Sequence, residues 1–193
     1  MIPRSHYLDN LLLATAAHHV AGDIVECGVW RGGMIAGIAD VLGPERAYYL
    51  YDSYQGLPKA AGIDGERALT WQADTSSPEY YDNCTAPEHV AVEAMGLSCA
   101  QKVQSIRGWF SQTVSRTCHP AGIALLRLDA DWYESTLHCL RAMFPQVVTN
   151  GIVIIDDYYT WDGCTRAVHD YLSEGKHAAC IRCTATGVCY IVK

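Results

Sequence analysis

Two short apolar runs that end abruptly in acids constrain this chain most. LLRLDADWYEST (125–136) carries Leu125, Leu126 and Leu128 into Asp129 and Asp131, and GIVIIDDYY (151–159) carries Ile152 through Ile155 into Asp156 and Asp157. Runs this short and this uniformly apolar predict strands buried on both faces, as in a parallel sheet. Open α/β sheets bind ligands just beyond the carboxyl ends of their strands, so two neighbouring strands would bring four carboxylates to one crevice. Like charges at that density raise one another's pKa unless a cation neutralises them. All-oxygen ligands of this kind suit Mg²⁺, Mn²⁺ or Ca²⁺ rather than zinc. A single Asp after a strand often caps the next helix, but a DxD answered by a DD exceeds that need. The residues therefore predict a hard-metal site. They leave open which acids ligate and which one acts as a base.

The rest of the chain fits the same architecture. An amphipathic helix is expected over 7–20, a strand over 23–27 (DIVEC), a tight loop at GVWRGG, a helix over 34–42 and a strand over 47–51 ending at Asp52. From 59 to 100 the pattern weakens into polar, Gly- and Pro-punctuated loop, with a short helix at 88–96. A strand at 101–106, a helix at 134–143, a helix at 163–174 and closing strands at 179–183 and 188–192 complete the reading around the two acid-ended strands. Alternating strands and helices predict a mostly parallel sheet with helices on both faces, in one domain spanning 1–193.

Composition narrows the partners. A formal charge of −7 argues against a nucleic-acid surface, and no apolar stretch approaches the roughly 20 residues of a membrane span. The N-terminal LLLATAA is short and reads as a helix face rather than a signal peptide. Nine cysteines without framework spacing fit free thiols in a reducing cytoplasm, with Cys27 and Cys139 as core residues. His177, Cys180, Cys183 and Cys189 have zinc-ligand chemistry, but 180–192 alternates like terminal strands and lacks two close-spaced ligand couples. His138 and His169 read as helical residues without a catalytic part.

DIVECGVWRGG places Gly28, Gly32 and Gly33 at a strand-to-helix turn, where glycine accepts positive φ and lets a ligand approach the backbone. The spacing departs from G-x-G-x-x-G, so the turn alone is a weak signal. Asp52, an acid ending the second strand, strengthens it: such an acid can hold ribose hydroxyls and disfavours a 2′-phosphate. Ribose recognition does not separate NAD from S-adenosylmethionine. The carboxylate cluster does, because hydride transfer has no use for one. Methyl transfer to a hydroxyl gains from a metal that fixes the acceptor oxygen and from a carboxylate that takes its proton.

VECGVWRGG (25–33), YDSYQGLP (51–58), GWFSQTV (108–114), LRLDADWYEST (126–136) and IIDDYYTWDGCTRAV (154–168) together resemble the macrocin O-methyltransferase (TylF-like) family, in family order and over most of the chain. The resemblance implies a Rossmann-like class I methyltransferase fold, S-adenosylmethionine and Mg²⁺, and a small-molecule acceptor such as a sugar hydroxyl of a natural product. It implies Asp129, Asp156 and Asp157 as metal ligands and Asp131 as general base. Glu26, Gly28, Asp52 and Ser53 would line the methionine and ribose parts of the cofactor, with Trp109, Phe110 and Ser111 beside the adenine. Arg166 is expected to pair with a carboxylate near the metal, and a homo-oligomer, as a dimer through the N-terminal helix, is expected. The chain starts close to that helix, so a substrate-covering N-terminal segment is expected to be minimal or absent. Residues 59–100 depart from the family pattern and are expected to form a lid. Two rivals predict other things. A DxD-type glycosyltransferase would hold Mn²⁺ on Asp129 and Asp131 but leaves the glycine turn unexplained, and a non-catalytic scaffold has no reason to keep buried charge.

Overall fold

Five parallel strands are extended on one side by a strand that runs antiparallel to them and by a last strand antiparallel to that one, in the computed structural model, which describes residues 2–193. The strands are β1 (Asp23–Cys27), β2 (Ala47–Asp52), β3 (Lys102–Arg107), β4 (Ile123–Leu128), β5 (Val147–Ile155), β6 (Ile181–Cys183) and β7 (Cys189–Val192). They lie in the order β3-β2-β1-β4-β5-β7-β6, with β7 antiparallel to both β5 and β6. The order reverses between β1 and β4, which makes their carboxyl ends the switch point where α/β sheets bind ligands. The Rossmann-like, mostly parallel α/β expectation holds.

Side-chain alternation explains the two cores. All residues of β1 and β4 are buried, and successive ones point to opposite faces of the sheet. Ile24, Leu125 and Ile152 pack towards α1 (Arg4–Ala16), α2 (Gly33–Leu42) and α4 (Glu88–Leu97). Val25, Leu126 and Val153 pack towards α5 (Tyr133–Met143) and α6 (Asp162–Glu174). Cys27 and Cys139 are buried free thiols, as expected.

Several boundaries differ from the sequence reading by a residue or more. The first helix starts earlier and stops at Ala16, since Ala17 closes it and His18 and His19 lie beyond. The last two strands begin two and one residues later than expected, at Ile181 and Cys189. More consequentially, the stretch expected to be loop holds a helix, α3 (Glu66–Ala73), preceded by a 3₁₀ turn at Gly62–Asp64. Only Ala68 of this helix is buried, and the side chains of Asp64 and Arg67 anchor the segment. The Asp64 carboxylate accepts the Tyr133 N–H at the start of α5 (2.7 Å), and Arg67 donates to the Thr160 carbonyl (3.1 Å).

The strand ends are held in register past the last residue of each strand. Gly28 N–H donates to the Tyr51 carbonyl, Asp129 N–H to Cys27 and Asp156 N–H to Leu128, at 2.8–2.9 Å. Gly28 has φ +89°, and a Cβ there would lie 1.7 Å from the Asp129 carbonyl oxygen. Only glycine allows the two chains to pass this closely. Gly28→Ala is therefore expected to lower the unfolding free energy by at least about 2 kcal/mol, from the left-handed backbone and the overlap together. Urea denaturation measures it, and an unchanged midpoint would show that this crossing is not constrained.

Candidate metal and cofactor site

The carboxyl end of the sheet gathers five acids around one buried guanidinium. Arg127, 1% exposed, stands opposite Glu26 in the β1–β4 register and opposite Ile154 in the β4–β5 register. Asp129 lies two residues beyond Arg127 and Asp156 two beyond Ile154, so the strand period aims all three acids at the same face. Arg127 Nη1 donates to Glu26 Oε1 (2.6 Å) and Asp129 Oδ2 (2.9 Å), and Nη2 reaches Asp156 Oδ1 (2.6 Å). Its Nε donates to Asn10 Oδ1 of α1 at 3.0 Å, which fixes the plane of the fork. Burial works against the Arg127 charge, but the surrounding carboxylates hold its pKa well above the ordinary value.

One cation does not balance this many acids. Burial pushes Glu26 up to about 8 despite the neighbouring guanidinium, and Glu26 Oε2 is buried without a hydrogen-bond partner among the described residues. Burial, then the charge of Asp129, pushes Asp131 up to about 8 as well. Asp156 is raised by burial against the pull of Arg127, and Asp157 is raised further by burial and by Asp131. Asp129, Asp156 and Asp157 each offer an oxygen to a set whose members all lie within 4.8 Å of one another. An all-carboxylate triad with surplus negative charge fits a hard divalent cation.

Asp131 sits just past the strand at φ +53°, a conformation that costs a non-glycine residue on the order of 1–3 kcal/mol. Its N–H donates to Asp157 Oδ2 (3.1 Å) and its Oδ1 accepts the Trp161 indole N–H (2.9 Å). The strand has ended at Leu128, and Asp131, two residues past Asp129, joins the cluster through Asp157.

The glycine turn is organised by Asp52. Its Oδ2 accepts the N–H groups of Val29 and Trp30, and Oδ1 accepts that of Tyr54, at 2.7–2.8 Å. A carboxylate has about four acceptor positions, so one remains, on Oδ1. Trp30, at φ +47°, keeps a buried indole N–H without a partner among the described residues. That donor and Glu26 Oε2 are two orphaned polar atoms flanking the turn, which suits a polar ligand laid across it.

A comparison of sequences bears on what such a site belongs to. The family described as Macrocin-O-methyltransferase (TylF) matches residues 3–190. The chain belongs to this family. It is 37% identical over 179 residues to the 8-demethyl-8-(2,3-dimethoxy-alpha-L-rhamnosyl)-tetracenomycin-C 4'-O-methyltransferase of Streptomyces olivaceus, covering 85% of this chain and 64% of that protein. It is 32% identical over 161 residues to the demethyldecarbamoylnovobiocin O-methyltransferase of Streptomyces niveus, covering 80% of this chain and 59% of that one. The chain thus spans about three-fifths of the length of these relatives. Among solved structures, the O-methyltransferase NovP superposes with a TM-score of 0.80 at 27% identity, over 97% of this chain and 79% of that one.

The residues singled out in the sequence do not all meet. The four aspartates and Glu26 form one cluster, with Gly28 and Asp52 on adjoining strand ends. Ser53 is turned inward, donating to the Gly56 carbonyl and accepting the Gln55 N–H, so its hydroxyl shapes the loop after β2. Trp109 and Phe110 follow β3, where Phe110 packs on the core and Ser111 is exposed. Arg166 is a correction. It lies on the exposed side of α6 and pairs with Asp170 at 3.6 Å, because its place on the helix turns it to solvent. Arg127 does what was expected of it. The missed signal was in plain view, since an Arg inside a fully buried strand needs partners.

Removing the shared cation leaves three acids uncompensated, of which Glu26 and Asp156 have side chains less than one-tenth exposed. Arg127→Met is expected to lower the unfolding free energy by about 3–5 kcal/mol in chelator-treated buffer, read by urea denaturation. A loss below about 1 kcal/mol would mean that the acids do not depend on this guanidinium.

Proposed function

We propose that the chain is one methyltransferase domain that transfers a methyl group from S-adenosylmethionine, with Mg²⁺, to a hydroxyl of a sugar or vicinal diol on a natural product. The observation that carries this reading is the Asp129–Asp156–Asp157 triad with Asp131 tied to it, on the same sheet edge as the glycine turn and Asp52. Family membership supports the reaction class. The relative named for the 4'-O-methylation of a rhamnosyl tetracenomycin supports the acceptor class.

When bound, the sulfonium cofactor supplies an electrophilic methyl group, and the divalent cation lowers the cost of negative charge on the acceptor oxygen. The chain's residues do the rest by holding groups in place. Asp129, Asp156 and Asp157 are the metal ligands, and Arg127 steadies two of them from the protein side. Asp131 takes the acceptor's proton. Trp161 occupies its Oδ1, which leaves Oδ2 to receive that proton. The bond from Asp131 N–H to Asp157 keeps base and ligand in one frame, and positioning of this kind is where such a site gains most of its rate. The remaining acceptor position of Asp52 serves a ribose hydroxyl, and Glu26 and Gly28 complete the lining near the cofactor's methionine and ribose, with Ser53 shaping the adjoining loop that borders it. Trp109, Phe110 and Ser111 are assigned to the adenine.

Incubation with S-adenosylmethionine, Mg²⁺ and a panel of deoxysugar glycosides, with S-adenosylhomocysteine as the readout, tests this. Asp131→Asn is expected to lower turnover by about 10²-fold or more while cofactor affinity stays within about twofold. Asp52→Ala is expected to weaken cofactor binding by about tenfold in calorimetry. Normal turnover by Asp131→Asn would contradict the assignment of the base.

A further inference from the structure

The helix the sequence concealed brings an aromatic group against two tryptophans, one of which is bonded to the carboxylate cluster. Trp71 of α3 packs against Trp132 (6.1 Å between ring centroids) and Trp161 (5.9 Å), and those two lie 5.2 Å apart. Both are almost fully buried and fixed by their indole N–H groups: Trp132 donates to the Pro58 carbonyl and Trp161 to Asp131. Trp71 differs. It is only half-buried, its N–H donates to the Glu79 carbonyl, and Tyr80 stands at 5.5 Å with the rings inclined at 43°. A partly open indole flanked by a second ring is therefore separated from the Asp131 carboxylate by a single side chain, Trp161.

We propose that Trp71, with Tyr80, is the platform on which the acceptor's sugar ring packs, and that it sets preference for a pyranose carrying vicinal hydroxyls. This rests on the methyltransferase reading given above. A pyranose ring has an apolar C–H face and a polar rim. An aromatic surface removes the face from water and draws its slightly positive hydrogens, while the rim hydroxyls reach the acids. Pockets for small molecules combine these elements, apolar walls with a few placed polar groups. Trp132 and Trp161, locked by hydrogen bonds, hold the platform in fixed relation to the base. Trp71 binds substrate, and it takes no part in moving the proton.

Two measurements with methyl α-L-rhamnopyranoside as the probe test the platform. The first follows the ¹⁵N indole resonance of Trp71, assigned through Trp71→Phe, as the probe is titrated into the full chain with Mg²⁺. The second measures methyl transfer to the probe by wild type, Trp71→Phe and Trp71→Ala. The expected result is a saturable shift of the Trp71 resonance and, for Trp71→Ala, a KM raised about tenfold or more with kcat within about threefold. Trp71→Phe should recover most of the affinity, and calorimetry should show cofactor binding unchanged in both variants. Methyl transfer with an unmoved Trp71 resonance and an unchanged KM in Trp71→Ala would overturn the platform and leave the methyltransferase reading standing. A saturable shift without methyl transfer would keep the platform and overturn that reading. Neither shift nor transfer would overturn both. A Trp71→Ala protein that also loses cofactor binding would show Trp71 to be structural, which overturns the proposal as well.

Discussion

The register of β1 against β4 sets Glu26 opposite Arg127, and the geometry of the site follows from that one pairing. A guanidinium buried this deeply persists only if each of its three nitrogens is partnered. The carboxylates of Glu26, Asp129 and Asp156 and the amide of Asn10 meet them, from three strands and the first helix. A slip of one residue in either strand would put Glu26 and Arg127 on opposite faces of the sheet. Gly28 keeps that register possible at the strand ends, since a side chain there would collide with the Asp129 backbone.

The cluster is also left deliberately short of positive charge. Arg127 neutralises part of it, and what remains raises Glu26, Asp131, Asp156 and Asp157 above the ordinary carboxylate range, chiefly through burial. A divalent ion would complete the balance without rearranging the backbone, because the strand ends are already held by Asp129 N–H and Asp156 N–H in the ladder. Backbone strain gathers in the same neighbourhood. Trp30, Tyr54 and Asp131 adopt positive φ, as does the whole run Tyr81–Cys84, which Asn83 ties to Leu57 and Gln72. Such conformations persist where the surroundings over-determine them, and here those surroundings are the loops beyond the strand ends.

Much of this was legible in the sequence, and the failures have physical reasons. The apolar runs predicted the parallel sheet because full burial on both faces leaves a continuous hydrophobic signature. The acids ending them predicted the cluster because strand ends converge at a switch point. Helix α3 escaped notice because it is only eight residues long, lies among Gly- and Pro-punctuated loop and buries a single residue fully. Arg127 was overlooked because its partners are set by strand register, which a single strand's sequence does not reveal. Arg166 was misplaced for the converse reason, since nearness in sequence to the acids does not say which side of a helix faces them. Asp52 was read as a ribose ligand, yet most of its acceptor capacity holds the glycine turn in shape.

The most direct test is to titrate Mn²⁺ into chelator-treated protein by calorimetry, with Asp157→Asn as the comparison. Saturable binding at one site, weakened at least about tenfold by the substitution, is the predicted result. No binding, or binding that ignores Asp157, would contradict the metal site and the chemistry built upon it.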